Sequence, residues 1–144
     1  MKPLKLGLMA ITIIVLMIST AIADDFSWMP DFNLKAEADP TGFRARLEAR
    51  FRVGDIDIKT VLGNTRSPAD AYVCLRLGEM SHRPVDDVIQ HYKSNKGKGW
   101  GAMAKQLGIK PGSEEFHALK NGPDIDSGNQ GGKGKGKSKR SKKK

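Results

Sequence analysis

The stretch NKGKGWG, residues 95–101, alternates Gly97, Gly99 and Gly101 with Lys96, Lys98 and Trp100. Glycines set among lysines can offer backbone amides and positive charge to a phosphate. The G-x-x-x-x-G-K-[ST] order of a nucleotide-binding loop is absent, however, and no strand pattern precedes the run. The glycines read instead as a flexible, close-approach connection between two helices, with Trp100 as the apolar anchor that starts the second.

Other chemistry is sparse. His82, His91 and His117 stand in separate segments, and Glu79 with His82, at i and i+3, supplies only two metal ligands. His117, in EEFHALK between Phe116 and Leu119, is the histidine best placed for a functional polar role, although packing or capping against a neighbouring helix explains it equally. Asp86-Asp87 and Glu114-Glu115 are adjacent pairs that point in different directions on a helix, so they read as helix N-terminal charges and not as acid/base couples. Cys74 is the only cysteine, which excludes an intramolecular disulfide, and its apolar setting AYVCLRLGEM predicts a buried thiol. No catalytic residue, cofactor site or metal site is assigned. An envelope enzyme or metal-dependent regulator built on His117 is a third reading behind two binding functions.

The first binding function resides in the C-terminus. The formal charge of +9 divides unevenly: residues 127–144 hold seven Lys and one Arg with no acid, whereas residues 24–126 hold 15 basic and 16 acidic side chains. Lys133, Lys135, Lys137, Lys139, Arg140, Lys142, Lys143 and Lys144 form a polycation with no apolar residue around it. Such a segment has nothing to bury and is expected to stay disordered, and it suits an anionic envelope polymer, a membrane surface or nucleic acid bound without sequence preference. A solubilising tail without a specific partner has the same composition.

The second is nucleic-acid binding through a helix-turn-helix-like pair. AKQLGI sets Ala104 four residues before Gly108, the spacing that lets two helices cross tightly. Lys105 and Lys110 would then face the nucleic acid, and Trp100, Lys105, Lys110 and His117 together make the candidate interaction residues of the folded part. Against this, the turn IKPGS is long and the second helix opens on Glu114 and Glu115, which repel phosphates.

Helices must position these residues. Phe43, Leu47 and Phe51 recur every four residues in a segment opened by Thr41. Ile58, Val61 and Leu62 mark a short helix capped by Asp55 and stopped by Gly63-Asn64. Ser67-Pro68-Ala69-Asp70 is a strong N-terminal signal for a helix to Ser81, apolar around most of its circumference and so central. From Pro84, the positions Val85, Val88, Ile89 and Tyr92 give the cleanest amphipathic helix; Trp100, Met103, Ala104 and Leu107 repeat that spacing until Gly108; Ser113 starts the last helix. Trp100, Leu75 and Val88 are expected to be buried together. With no strand pattern and short connections, the fold class is all-α, a small bundle of five or six short helices with the helix-turn-helix-like pair at its C-terminal end.

Lys2 and Lys5 followed by the apolar run from Leu6 to Ile18 and by Ala21-Ile22-Ala23 have the form of a secretory signal cleaved after Ala23. An uncleaved anchor is the other reading, since Leu6 to Ala23 approaches the roughly 20 residues of a membrane-spanning helix. The chain therefore divides into a signal peptide over 1–23, a linker over 24–40 in which Phe26, Trp28 and Phe32 either dock or stay loose, a helical domain over 41–122, and a Lys/Gly-rich tail over 123–144. The expected localisation is periplasmic or secreted.

SPADAYVCLRLGEMSHRPVDDVI followed by GKGWGAMAKQLGIKPGSEEFHALK resembles small exported helical proteins of bacteria that share a G-K-G-W-G-x-x-A-K-x-L-G-I-K-P-G-S-x-E-F-H-x-L-K signature. The resemblance covers about residues 40–122. It implies a periplasmic or secreted helical protein and implies no particular activity.

Overall fold

A computed structural model describes residues 25–125. The signal peptide, its cleavage site and the cations from Lys133 to Lys144 lie outside the described residues. Seven helices follow one another: α1 (Met29–Ala38), α2 (Pro40–Phe51), α3 (Asp55–Asn64), α4 (Pro68–Ser81), α5 (Val85–Ser94), α6 (Trp100–Gln106) and α7 (Glu114–Asn121), with no strand among the described residues. The fold is all-α.

Helix α4 is the centre. Its Ser67 Oγ accepts from the Asp70 amide at 3.1 Å, and Pro68 occupies the first turn, where its missing N–H costs nothing. Ala69, Ala71, Tyr72, Val73, Cys74, Leu75 and Leu77 are all buried, and α1, α2, α3, α5 and α7 pack around them. Burial pushes the Cys74 thiol far up its scale, so it serves as packing and not as a nucleophile. Helix α5 lays Val88, Ile89 and Tyr92 against α4, as its spacing predicts.

Two boundaries differ from the sequence reading. The segment assigned to a linker over 24–40 contains α1, whose Phe32 and Ala36 are in the core. Trp28 meets Phe32 and Tyr72 edge to face at 5.2 and 5.6 Å and donates from Nε1 to the Leu119 carbonyl at 3.1 Å. Asn33 Oδ1 also accepts from the Ala69 amide at 2.7 Å, satisfying a free donor at the start of α4. Pro30 sits in the first turn, where it starts a helix instead of breaking one. At the other end the fold runs past 122: Ile125 is buried, and Asp124 accepts from Tyr72 Oη at 2.7 Å and from Arg50 at 2.6 Å. Residues 123–125 therefore belong to the folded body and not to the tail.

The helix count and the C-terminal pair are also revised. Six helices occupy 41–122 and its edge, and α1 adds the seventh. Helix α6 packs mainly on α5 and α7 mainly on α4, so the two do not share the close crossing suggested by Ala104 and Gly108. Their spacing has another cause. Gly108 adopts φ +81°, its amide donates to the Lys105 carbonyl at 3.0 Å, and the Ile109 amide donates to the Ala104 carbonyl at 2.8 Å. That is a left-handed helix stop, with both bonds of a Schellman motif, and it turns Ile109 into the core.

Smaller corrections follow the same logic of caps. Helix α2 starts at Pro40, one residue before Thr41, because Asp39 Oδ1 accepts from the Gly42 amide at 2.9 Å. Asp55 is the first residue of α3 and pairs with Lys59 one turn on, while Gly54 takes the cap position.

Candidate functional site

The glycine-rich connection between two helices lines a cleft of about 290 Å³ between α5, α6 and Arg66, two residues before α4. Arg66 contributes one wall, Tyr92 and Asn95 the end of α5, Lys96, Gly97 and Gly99 the loop, and Trp100 and Met103 the start of α6. Its volume lies at the small end of the roughly 300–1,000 Å³ typical of small-molecule pockets.

The floor is built from α5. Tyr92 falls on the inward stripe with Val88 and Ile89, so its ring packs, stacked on Trp100 with centroids 5.7 Å apart and planes 25° from parallel. Its hydroxyl needs partners at that depth and has three. Tyr92 Oη donates to Asp70 Oδ2 at 2.6 Å and accepts from the Arg66 amide and from Arg66 Nε, each at 3.2 Å. Burial and then the Asp70 hydrogen bond raise the Tyr92 pKa, which keeps it a proton-bearing donor. Asp70 is nearly buried, and Oδ2 also lies 3.4 Å from Arg66 Nε.

Arg66 is consequently held from one edge only. Tyr92 and Asp70 take its Nε, while the two terminal nitrogens of the guanidinium donate to nothing among the described residues. Its side chain is 73% exposed at the cleft. The hydrogen bond to Tyr92 is also the main influence that raises its pKa, so it is charged throughout the physiological range.

The loop is tied down at its start, where Asn95 is joined to the last residue of α6. Asn95 Nδ2 donates to Gln106 Oε1 at 2.7 Å, and Gln106 Nε2 donates back to Asn95 Oδ1 at 2.9 Å. Asn95 also donates to the His91 carbonyl at 2.8 Å. Within the loop, the Lys98 amide donates to the Asn95 carbonyl at 2.9 Å, and Gly97 and Gly99 take φ +83° and +82°. Those conformations favour glycine. The Gly97 and Gly99 amides donate to nothing among the described residues.

The candidate residues of the folded part do not converge on this cleft. Trp100 lines it, half-buried, and is not enclosed with the buried Leu75 and Val88 as expected. Lys110 lines a second cleft of about 520 Å³ with Arg76, Glu79, His82 and Glu115, among others. Lys105 is exposed on α6, and His117 is exposed on α7 between the buried Phe116 and Leu119. Neither lines these clefts. The Glu79–His82 metal pairing is preempted, because Glu79 receives Arg50 at 2.9 Å and Arg76 at 2.5 Å. Among the described residues no group of three or more His, Cys, Asp and Glu could hold a metal ion.

Arg66 and Asn95 were not singled out from the sequence, Tyr92 was read only as part of the inward stripe of α5, and Lys96 only within a glycine run set aside as a connection. Tyr92 carried a usable signal, because a tyrosine on the inward stripe of an amphipathic helix requires a polar partner. The partner stands 26 residues away at Arg66, and spacing gives no hint of it. No protein-family model, curated protein or solved structure matches the chain.

Proposed function

We propose that this chain is an exported, non-enzymatic binding protein whose C-terminal cations associate with anionic surfaces or polymers of the cell envelope. The supporting observation is the contrast in charge between the body and the C-terminus. Within the body acids and bases are nearly equal in number and several cations are paired: Arg50 meets Glu79 and Asp124, Arg76 meets Glu79, Arg83 meets Asp87, and Lys120 meets Asp25. Residues 127–144 carry eight cations and no acid. Polyanion affinity therefore resides chiefly in that segment, and it arises by counterion release without base reading.

Export rests on the leader-like residues 1–23. Among the described residues no helix is long and apolar enough to cross a membrane. Intact mass of protein from the envelope or medium is expected to match a chain that starts at Asp24; a chain retaining Met1 in the membrane fraction supports the anchor reading instead.

Deletion after Asp126 tests the assignment of the polyanion site. The shortened protein is expected to lose most binding to anionic vesicles, heparin-like polymers and duplex DNA while its helical circular dichroism stays unchanged. On DNA the full chain's affinity falls with salt, with a log–log slope of about −0.9 per phosphate neutralised. Sequence-selective duplex binding that survives the deletion and weakens with Lys105→Gln or Lys110→Gln would overturn the proposal in favour of nucleic-acid recognition by the body.

A further inference from the structure

We infer that the cleft between Arg66 and the Asn95–Trp100 segment is a binding site for a phosphomonoester borne on a ring or apolar group. This site belongs to the folded body and is independent of the C-terminal cations. Three observations carry it.

The first is the way Arg66 is held. A surface arginine ordinarily sweeps many rotamers, and fixing it costs entropy when a ligand arrives. Here the Tyr92 hydroxyl grips Nε at 3.2 Å, and the buried Asp70 fixes that hydroxyl at 2.6 Å. The grip leaves the two terminal nitrogens free, and these are groups that engage a phosphate in paired hydrogen bonds. Asp70 itself is only 7% exposed, so its charge is turned to Tyr92 and Arg66 and not to the cleft.

The second is the match of charge. Lys96 lines the same cleft from a different element, so two cations share one small volume with no carboxylate among its lining residues. Asp70 behind Arg66 offsets part of that charge, and a phosphomonoester, at about −1.5 to −2 near neutral pH, brings more negative charge and more acceptor oxygens to the remaining donors than a carboxylate does. The Gly97 and Gly99 amides, both without acceptors among the described residues, belong to residues lining that volume.

The third is the apolar part of the lining. Trp100 and Met103 line the same cleft as the cations, and Trp100, half-buried, is kept in place by its stack on Tyr92. An inorganic anion alone leaves the exposed part of the Trp100 ring uncovered. A ring or apolar substituent on the phosphate covers it.

The test uses the mature full-length chain and follows the Trp100 indole and the Gly97 and Gly99 amides by ¹H–¹⁵N NMR, with the indole assigned through Trp100→Phe. Phenyl phosphate is expected to shift these signals saturably, more tightly than inorganic phosphate, while phenol shifts them weakly. Arg66→Gln and Lys96→Gln should each weaken phenyl phosphate by roughly tenfold or more, the loss expected for a charge-assisted contact. Lys35→Gln, on α1 and outside the cleft lining, should leave it unchanged. Equal binding of phenol and phenyl phosphate, or equal loss in all three variants, overturns the inference. Retained spectra of the variants elsewhere in the protein separate lost binding from lost folding. Adenosine 5′-monophosphate and phosphatidic-acid vesicles distinguish a soluble ester from a membrane headgroup. The inference stands if either competes with phenyl phosphate at the cleft signals, and it falls if neither does.

Removing residues 127–144 should leave the cleft signals and their response intact. A cleft response that disappears with the tail would assign the phosphate to the tail and refute the site, whatever the outcome for polyanions.

Discussion

Asn95 and Gln106 exchange two amide hydrogen bonds, 2.7 and 2.9 Å long, across the loop that joins α5 to α6. Asn95 is buried and also donates to the His91 carbonyl at 2.8 Å, so the loop leaves α5 from a fixed point that is tied to the last residue of α6. Two glycines at positive φ can therefore occupy the loop while the cleft walls keep their relative positions.

Asn95→Ala leaves the Gln106 side-chain amide without its partner and the His91 carbonyl with only the backbone amide of residue 95. A loss of about 1–3 kcal/mol is expected in urea denaturation, because one end of the pair is buried. Gln106→Ala should cost a similar amount, since it leaves the side-chain oxygen of the buried Asn95 without its donor. A double-mutant cycle in which the two losses simply add would show that the pair does not act as one clamp.

Acid should loosen the contact between the C-terminal residues and α4. Arg50 is the main influence that holds the Glu79 carboxyl below its ordinary 4.5, and Arg76 assists. For Asp124, burial pushes the carboxyl up, but hydrogen bonds from Arg50 and Tyr72 outweigh it and leave the pKa below 3.8. Both shifts are depressions, so their stabilisation is complete above those ordinary values and is lost as pH falls beneath them. Asp124→Asn is expected to flatten the wild-type fall in melting temperature across that acidic window. An unaltered acid profile would remove Asp124 from the account.

His82 ends α4 at φ +54°, with its amide on the Glu79 carbonyl and the Arg83 amide on the Gly78 carbonyl at 3.0 Å. A left-handed conformation costs an L-residue roughly 1–2 kcal/mol, and glycine's greater unfolded-state freedom returns roughly 0.5–1 kcal/mol of that. His82→Gly should therefore raise stability by up to about 1 kcal/mol in urea denaturation. The exposed imidazole has little packing to lose, so a clear destabilisation would reveal a contact role for it.

Phe32→Ala tests whether α1 is part of the cooperative unit. Phe32 lies 5.4 Å by ring centroids from both Phe43 and Tyr72, in the core. A loss of about 3–5 kcal/mol is expected, with one unfolding transition by tryptophan fluorescence and by circular dichroism. Separate transitions would mean that α1 docks as an independent appendage.

Local chemistry wrote much of the bundle into the sequence. Ser67-Pro68 supplies its own acceptor and a residue that lacks the unwanted donor, so α4 begins where those residues stand. The stripe Val88, Ile89 and Tyr92 declares the buried face of α5 because its partners recur at the helical period. Helix α1 was harder to read: Phe32 and Ala36 provide only one repeat, and Leu34 between them is exposed. Its burial depends on Trp28 and Phe32 meeting Tyr72, more than 35 residues along the chain.

The cleft is a still clearer division. Composition and period determined that Tyr92 is inward, that Gly97 and Gly99 interrupt the helices, and that residues 127–144 concentrate the positive charge. Only the tertiary structure decided that Arg66 meets the Tyr92 hydroxyl and that Asp70 fixes it, because hydrogen bonds between residues 26 and 22 positions apart leave no period in the sequence. The same holds for Ala104 and Gly108. Their spacing is compatible with a helix crossing and with a left-handed helix stop, and the burial of Ile109 and Phe116 against the existing core selects the stop.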